Sequence, residues 1–197
     1  MGRDAGAKDL AVVLIDMQPG FLKKFSPEAV QSLVHAQRKL LTYAAREDLL
    51  VLEFRYRGHG DTIDEVRDAI SNVPRLVPFV KAHQSGFQDD LEEGNGYVEN
   101  LLRQQGISRI CFAGVNKSAC VYSTALHAAE RGFSIITSED LVADSSSVHQ
   151  GSIPGAMRWY KTHSTLRSSV EDITGPIEVP PLSREPTFLQ KCAAYFQ

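Results

Sequence analysis

The chain alternates between short, continuous apolar runs and longer stretches in which apolar residues recur at helical spacing. Residues 10–15 (LAVVLI) are all apolar and are followed directly by Asp16. A run of this kind is typical of a strand that is buried on both faces of a sheet. Comparable runs predict five further strands, at residues 49–54, 76–80, 109–115, 133–137 and 164–166.

Helices are predicted between these strands. Ser26, Pro27 and Glu28 provide an N-cap, a proline at the first helical position and an acidic first turn, so a helix should run from there to about Arg46. Apolar spacing and terminating glycines predict other helices at 97–105, at 118–131, within 148–160 and, as a short helix broken before Pro74, within 62–77.

The order of these elements predicts the fold class. Strands that alternate with helices form a parallel sheet with helices on both faces. We therefore expect an α/β, Rossmann-like three-layer sandwich with a mostly parallel six-stranded sheet, formed as one domain by residues 1–197 with its core at about 9–168. Residues 175–197 contain four prolines and no clear period, which predicts an extended C-terminal tail.

Charge and cysteine content indicate which classes of binding partner and which cellular compartment to expect. The net charge of −3 gives no reason to expect nucleic acid or an anionic membrane as a partner. No apolar run approaches the roughly 20 residues of a membrane span, and the polar first ten residues lack the core of a signal peptide. Three scattered cysteines, Cys111, Cys120 and Cys192, suit a reducing compartment. We expect a cytoplasmic protein.

The candidate catalytic residues follow the ends of predicted strands. This position matters because ligands of parallel sheets bind beyond the carboxyl ends of the strands. Asp16 follows the first strand, Lys81 the third, and the segment up to Cys120 the fourth. Free backbone N–H groups at a helix start favour a thiolate, so we expect the pKa of Cys120 to lie below its usual value of about 8.5. Taken singly, each residue is better interpreted without catalysis, as a buried packing cysteine, a turn-capping aspartate and a solvated lysine.

Three ordered blocks resemble the isochorismatase-like cysteine hydrolase superfamily. They are AVVLIDMQPGF, VKAHQSGFQDDL and ICFAGVNKSACVYSTALHAAERGFSI, and SSVHQGSI is similar to a helix that often follows them. The resemblance implies that Asp16 is the proton acceptor, Lys81 its charged partner and Cys120 the nucleophile. It also implies a dimer or tetramer of identical chains that acts on a small molecule and needs no cofactor.

The same resemblance implies further features of the site. A cis peptide bond is expected between Val115 and Asn116, and the backbone N–H groups of Asn116 and Cys120 are expected to form the oxyanion hole. By the same resemblance, Phe21 is expected to form a wall of the substrate pocket and Gln18 to support the loop after the first strand. Substrate specificity is expected, apart from the resemblance, to come from the loop at residues 55–61 and from nearby side chains. The candidate substrate-binding residues are Gln18, Phe21, Tyr56, Phe87, Lys117 and Tyr122.

Departures from the family pattern concern the neighbourhood of the nucleophile and a metal motif. Lys117 stands where the family usually has threonine. The nicotinamide-hydrolysing members carry an Asp-x-His metal motif after the second strand, whereas this chain has His59-x-Asp61. We therefore expect no metal, although His59, Asp61 and His83 are a conceivable ligand set. Arg55 and Arg57, together with Lys117, suggest a carboxylate on the substrate.

These features lead to one main hypothesis and two rivals. The hypothesis is a cysteine hydrolase that cleaves a C–N bond of a small amide, ureido or related substrate through a thioester on Cys120. One rival is a catalytically silent binding or assembly module with the same fold. The other is a redox sensor that uses the Cys120 thiol.

Overall fold

The middle of the molecule is strand β1 (Leu10–Ile15), in which all six residues are buried. In this computed structural model, which describes residues 8–88, 96–146, 148 and 150–179, β1 pairs with β2 (Leu50–Tyr56) on one side and with β4 (Arg109–Val115) on the other. Because both neighbours are themselves covered by helices, the apolar pattern of β1 is continuous rather than alternating.

The remaining strands extend the sheet in both directions. The order is β3-β2-β1-β4-β5-β7, with β6 also paired to β4, and every pairing within the described residues is parallel. The further strands are β3 (Arg75–Lys81), β5 (Ser134–Ser138), β6 (Val142–Ala143) and β7 (Ser164–Arg167). The α/β class and the parallel sheet are confirmed, and the two-residue strand β6 is an addition to the six predicted strands.

Helices connect the strands. The predicted N-cap is present, because Ser26 Oγ accepts a hydrogen bond from Ala29 N at 3.3 Å. The helices are α1 (Pro19–Leu22), α2 (Pro27–Arg46), α3 (Asp64–Ile70), α4 (Tyr97–Gln104), α5 (Tyr122–Glu130), α6 (Ile153–His163) and α7 (Glu171–Thr174). A π-helical turn (Lys117–Val121) leads into α5, and a 3₁₀ turn (Gln150–Ser152) leads into α6.

Two predictions about helices and the tail need correction or stay open. The helix expected within 148–160 begins only at Ile153 and continues to His163, because the preceding residues form the 3₁₀ turn. Residues 175–179 form neither helix nor strand, while the rest of the expected tail, with Cys192, lies outside the described residues. In the described part of the chain, no helix is both long and apolar enough to cross a membrane.

The winding of the chain creates a crevice beside β1. From β1 the chain builds β2 and β3 on one side and then crosses to the other side to form β4. At such a switch point the loops after neighbouring strands diverge and leave room for a ligand. Gly114 lets the two central strands approach here, since a Cβ atom on it, at φ 131°, would lie 2.1 Å from the carbonyl oxygen of Ile15.

Candidate active site

A buried ion pair lies at the carboxyl edge of the sheet. Asp16 directly follows β1 and extends its ladder through a hydrogen bond from its N–H to the carbonyl of Phe54 at 2.9 Å. Its φ of 55° is a conformation that aspartate tolerates better than most residues. Lys81 Nζ donates to Asp16 Oδ2 at 2.8 Å, and the two side chains are 1% and 0% exposed. The sheet thus brings together two residues that are 65 positions apart in sequence.

Additional contacts fix the lysine. Lys81 Nζ also donates to the carbonyl of His83 at 3.2 Å and lies 4.4 Å from the centre of the Tyr56 ring. Burial raises the pKa of Asp16 above its ordinary value, and the charge of Lys81 opposes that rise. The Asp16 carboxylate therefore accepts a proton more readily than an exposed aspartate does.

Cys120 lies beside this pair on the π-helical turn and is 6% exposed. Ser118 anchors the turn, because its backbone N–H donates to Asp144 Oδ1 at 2.7 Å and its hydroxyl donates to Oδ2 at 2.6 Å. Thr124 Oγ1 donates to the carbonyl of Cys120 at 2.7 Å. The nucleophile predicted from sequence therefore has a fixed position next to the predicted base.

The expected low pKa of Cys120 is wrong. Burial and the neighbouring Asp16 carboxylate raise the pKa of the thiol to about 12, against the opposing effect of Lys81. When two acids share one buried site, the stronger acid ionises first and its charge suppresses ionisation of the second. The helix-start argument failed because it left out the burial of the sulfur, which is the largest cause of the raised pKa.

Asn116 connects β4 to this turn. The peptide bond between Val115 and Asn116 is cis, as the family resemblance implied. Asn116 Oδ1 accepts from the backbone N–H of Ser145 at 2.9 Å, and its carbonyl accepts from Ala119 and Val121, each at 3.1 Å. The oxyanion role of the Asn116 and Cys120 N–H groups stays a prediction.

A cavity of about 460 Å³ opens above Cys120. One wall is aromatic: the rings of Phe21 and His59 are stacked, with centroids 4.3 Å apart, and Tyr56 meets His59 edge-on at 5.4 Å. The described residues that line the cavity are Phe21, Tyr56, His59, Gln84, Asn116, Ser118, Ala119, Cys120, Val148 and Ser152.

Gln18 supports this wall from behind. Its Oε1 accepts from the N–H of Tyr56 at 2.7 Å, and its Nε2 donates to the carbonyls of Tyr56 and Gly60. The side chain is fully buried and is not among the lining residues. The structure thus places Gln18 as a clamp on the loop after β2, whereas direct contact with substrate stays a prediction.

Three other residues predicted to bind substrate lie elsewhere. Phe87 is fully buried and packs under the guanidinium of Arg131 at 5.1 Å. Tyr122 lines an adjoining cavity of about 360 Å³ and packs edge-on against Trp159 at 5.5 Å. Lys117 contributes its carbonyl to a hydrogen bond with a tyrosine hydroxyl, and its side chain is not among the residues that line either cavity.

The charged loop after β2 also differs from expectation. Arg55 Nη1 pairs with Asp61 Oδ1 at 2.6 Å, and Arg55 Nε lies 3.9 Å from Glu53. The arginine charge is therefore balanced within the chain, which weakens the case for a substrate carboxylate. No group of three or more His, Cys, Asp or Glu side chains within the described residues is arranged to hold a metal ion.

Sequence reasoning missed several lining residues. His59 was named by itself only as a metal ligand, although it lies in the loop at 55–61 that was expected to govern specificity, and Gln84, Val148 and Ser152 were given no role. A usable signal existed for His59, since it follows β2 on the same sheet edge as Asp16 and Lys81. Ser152, in the 3₁₀ turn before α6, belongs to the SSVHQGSI segment that resembles the family, but that resemblance assigned it no role.

Comparisons with known proteins agree with this architecture. The chain matches the isochorismatase domain model over residues 10–160. Among solved structures, the MAR1 ribonuclease from Caenorhabditis elegans superposes with a TM-score of 0.71 at 17% identity, covering 95% of this chain and 91% of that one. A search of curated proteins gave no significant match.

Two amidases share the fold as well. N-carbamoylsarcosine amidase from Thermoplasma acidophilum has a TM-score of 0.65 at 22% identity, covering 86% of this chain and 99% of its own. The nicotinamidase SaPncA from Staphylococcus aureus has a TM-score of 0.65 at 16% identity, covering 82% and 99%. At such identities these structures establish the fold alone, but the family model spans most of the chain, and this chain therefore belongs to the isochorismatase family of hydrolases.

Proposed function

We propose that this protein hydrolyses a C–N bond of a small amide, ureido or related substrate, with Cys120 as nucleophile, Asp16 as general acid and base, and Lys81 as the group that orients Asp16. The observation that carries the proposal is the buried Asp16–Lys81 pair beside a thiol at the floor of a cavity. A nucleophile, a base in contact with it and a third group that fixes the base form the arrangement that acyl transfer needs.

The first half of the reaction forms a thioester. The Cys120 sulfur attacks the substrate carbonyl carbon while the thiol proton passes to Asp16, which gives a tetrahedral oxyanion. The oxyanion collapses, the C–N bond breaks, and Asp16 returns the proton to the leaving nitrogen. The backbone N–H groups of Asn116 and Cys120 are the proposed donors to the oxyanion.

The second half regenerates the enzyme. Asp16 takes a proton from a water molecule as the water oxygen attacks the thioester carbonyl. The C–S bond then breaks, the carboxylic acid leaves, and the sulfur regains the proton from Asp16. One water is consumed, and no organic cofactor takes part in either half.

The raised pKa values fit a proton that moves during attack rather than before it. The pKa of Cys120 is about 12, so the resting thiol keeps its proton at neutral pH. Burial also raises the pKa of Asp16, so its carboxylate accepts a proton more readily than an exposed aspartate does. Because the resting thiol is protonated, its proton must leave as the sulfur attacks, and Asp16 is the proposed acceptor.

The named structural neighbours support an amidase more than a nuclease. Two of them are amidases by name, while the MAR1 protein is a ribonuclease. Binding of a phosphate backbone depends on Lys and Arg side chains. Among the described residues that line the cavity there is neither, and the whole chain carries a net charge of −3.

Ammonia release from a panel of small carboxamides and ureido compounds tests the proposal. The wild type should release ammonia from at least one of them, and Cys120→Ala should abolish the release. Cys111→Ala is the matched control, because Cys111 is equally buried but lies within β4 away from the cavity. Ligand binding without turnover would instead favour a binding module, and reversible peroxide inactivation without hydrolysis would favour a redox sensor.

We also propose a homo-oligomer, a dimer or tetramer, on the family resemblance. Light scattering of the purified chain at micromolar concentration measures its molar mass. A mass of one chain, 21.8 kDa, contradicts this part of the proposal.

A further inference from the structure

His59 is held on the cavity wall from several sides. Its imidazole is nearly parallel to the Phe21 ring, with an interplanar angle of 9° and a centroid separation of 4.3 Å. Tyr56 contacts it edge-on, with an interplanar angle of 82°. Its backbone is tied to α1, because Gly20 N donates to the carbonyl of His59 at 3.3 Å. These contacts leave the ring little rotational freedom.

Gly20 lies against the Nδ1 edge of the imidazole. A Cβ atom on Gly20 would lie 2.5 Å from His59 Nδ1 and 3.0 Å from both Cβ and Cγ of the same side chain. Two of these atoms are at the base of the side chain, so moving the ring tip would not relieve the overlap. The Nδ1 edge therefore lies against the glycine, and Nε2, on the far side of the ring, points away from it.

The chemistry around Nε2 is unusual for a surface histidine. The ring makes no hydrogen bond to any residue that the structure describes, although it is half-buried and borders the same cavity as the nucleophile. The other described lining residues are neutral, with no Asp, Glu, Lys or Arg among them. The positive form of His59 lowers the pKa of Asp16, which agrees with a position close to the reacting groups.

We propose that Nε2 of His59 donates a hydrogen bond to an uncharged carboxamide-type oxygen of the substrate, and that Gly20 and Phe21 hold the ring for this contact. The inference rests on the proposed function and names the class of substrate for the same site. A carboxylate in the same position is disfavoured, since it would leave water for a cavity whose described lining holds no Lys or Arg and would approach the charge of Asp16.

Alkylation of Cys120 provides a test that does not require the substrate. Iodoacetamide carries a neutral carboxamide and iodoacetate carries a carboxylate, and both transfer a methylene carbon to sulfur with loss of iodide. The rate at Cys120 is measured at pH 8 by mass spectrometry and divided by the rate of each reagent with glutathione. Wild-type Cys120 should favour iodoacetamide more strongly than glutathione does.

Substitutions of His59 and Gly20 separate the hydrogen bond from the shape of the wall. His59→Phe keeps a flat ring on Phe21 but removes the donor, and should slow iodoacetamide about tenfold, the usual effect of one lost hydrogen bond. The slower reaction with iodoacetate should change less than about twofold, because it does not use this contact. Gly20→Ala should act in the same direction as His59→Phe, because it displaces the ring.

His163 offers a matched control. It is also stacked on an aromatic ring, Trp159, at 5.6 Å and 10°, but it is exposed and is not a lining residue of either cavity at the π-helical turn. His163→Phe should leave both alkylation rates unchanged. Thermal unfolding of each variant, followed by circular dichroism, checks that the fold is retained.

The outcomes separate this inference from the proposed function. If His59→Phe and wild type react equally with iodoacetamide, or if wild-type Cys120 prefers iodoacetate, the inference is overturned, whatever the result of ammonia release. If the His59 effect is present but no amide is hydrolysed, His59 still contacts a neutral carboxamide at this cavity, while the proposed hydrolysis fails. With a hydrolysed substrate, His59→Phe should raise KM about tenfold and leave kcat within about threefold.

Discussion

Strand β1 carries a carboxylate at each end, and the two carboxylates have opposite properties. Asp9, before the strand, accepts hydrogen bonds from Arg109 Nη2 at 2.5 Å and from Nε, and its side chain is 39% exposed. Asp16, after the strand, pairs with Lys81 at 2.8 Å and is 0% exposed. Both pairs join β1 to another strand of the same sheet.

Solvent explains the difference in proton affinity. Hydrogen bonds from Arg109 and Ser108 lower the pKa of Asp9 from its ordinary 3.8 to about 2. At Asp16 the loss of water outweighs the effect of Lys81, and the pKa rises. An aspartate paired with a basic residue therefore has a lowered pKa where water reaches the pair and a raised pKa, suited to the proposed proton transfer, where water is excluded.

Matched substitutions give the largest expected contrast. Asp16→Asn should reduce amide hydrolysis by about a thousandfold or more, because it removes the proposed acid and base of both half-reactions. Asp9→Asn, at the other end of the strand, should leave kcat/KM within about twofold. Steady-state kinetics on one hydrolysed amide measures kcat/KM of both variants and the wild type. More than a tenth of wild-type activity in Asp16→Asn would contradict the mechanism.

Stability should show a similar contrast. Lys81→Met leaves the Asp16 carboxylate buried without its cation, a change that costs about 3–5 kcal/mol in the free energy of unfolding. The double variant with Asp16→Asn should recover part of this loss, because neither charge remains. Arg109→Met at the exposed pair should cost less than about 1 kcal/mol. Urea unfolding of the wild type and these three variants measures the losses, and equal losses for Lys81→Met and Arg109→Met would contradict the comparison.

The titration of Cys120 sharpens the electrostatic argument. In the wild type its alkylation rate should rise with pH towards an apparent pKa near 12. Asp16→Asn should lower that pKa, because it removes a negative charge and leaves Lys81 in place, so the thiol becomes more reactive at pH 8–9 while hydrolysis is lost.

Cys111 and Asp9 supply the controls for this titration. Burial raises the pKa of Cys111 to about 12 as well, and it lies away from Asp16, so its profile should not respond to Asp16→Asn. Asp9→Asn should leave the profile of Cys120 unchanged. An apparent pKa of Cys120 below 8.5 in the wild type contradicts the site as described.

Acid unfolding gives the smallest expected effect. The pKa of Asp9 is lowered on folding, so the pair stabilises the protein above about pH 4 and loses that contribution as the pH falls through about 2. The contribution should stay below about 1 kcal/mol because the pair is exposed and screened by salt. Urea unfolding of wild type and Asp9→Asn at pH 6 and pH 2.5 measures it. If wild type and Asp9→Asn differ more in free energy of unfolding at pH 2.5 than at pH 6, the lowered pKa of Asp9 is contradicted.

Much of the fold could be predicted from local pattern. The run at 10–15 and the cap at Ser26 predicted β1 and α2 closely, because burial on both faces and N-capping are properties of the local sequence. Strand β6 and the π-helical turn escaped prediction. Neither has a local signature, and β6 exists only because two residues pair with the end of β4.

The candidate site was predicted in part. The strand ends and the family resemblance singled out Asp16, Lys81 and Cys120, which the structure brings together. Phe87 and Tyr122 were expected in the substrate cavity and are not among its lining residues, since sequence position does not fix the direction of a side chain. The thiol pKa was predicted with the wrong sign for the same reason.

The sequence by itself determined that this chain forms a parallel α/β sheet with a carboxylate, an amine and a thiol on one edge, because strand periodicity and order decide which residues end there. Only the tertiary structure decided that the Asp16 carboxylate is buried and that the Cys120 thiol keeps its proton. It also decided that the His59 ring stacks on Phe21 and lies against Gly20. The physical reason is that solvation and close contact depend on distances between segments remote in sequence, which local patterns do not contain.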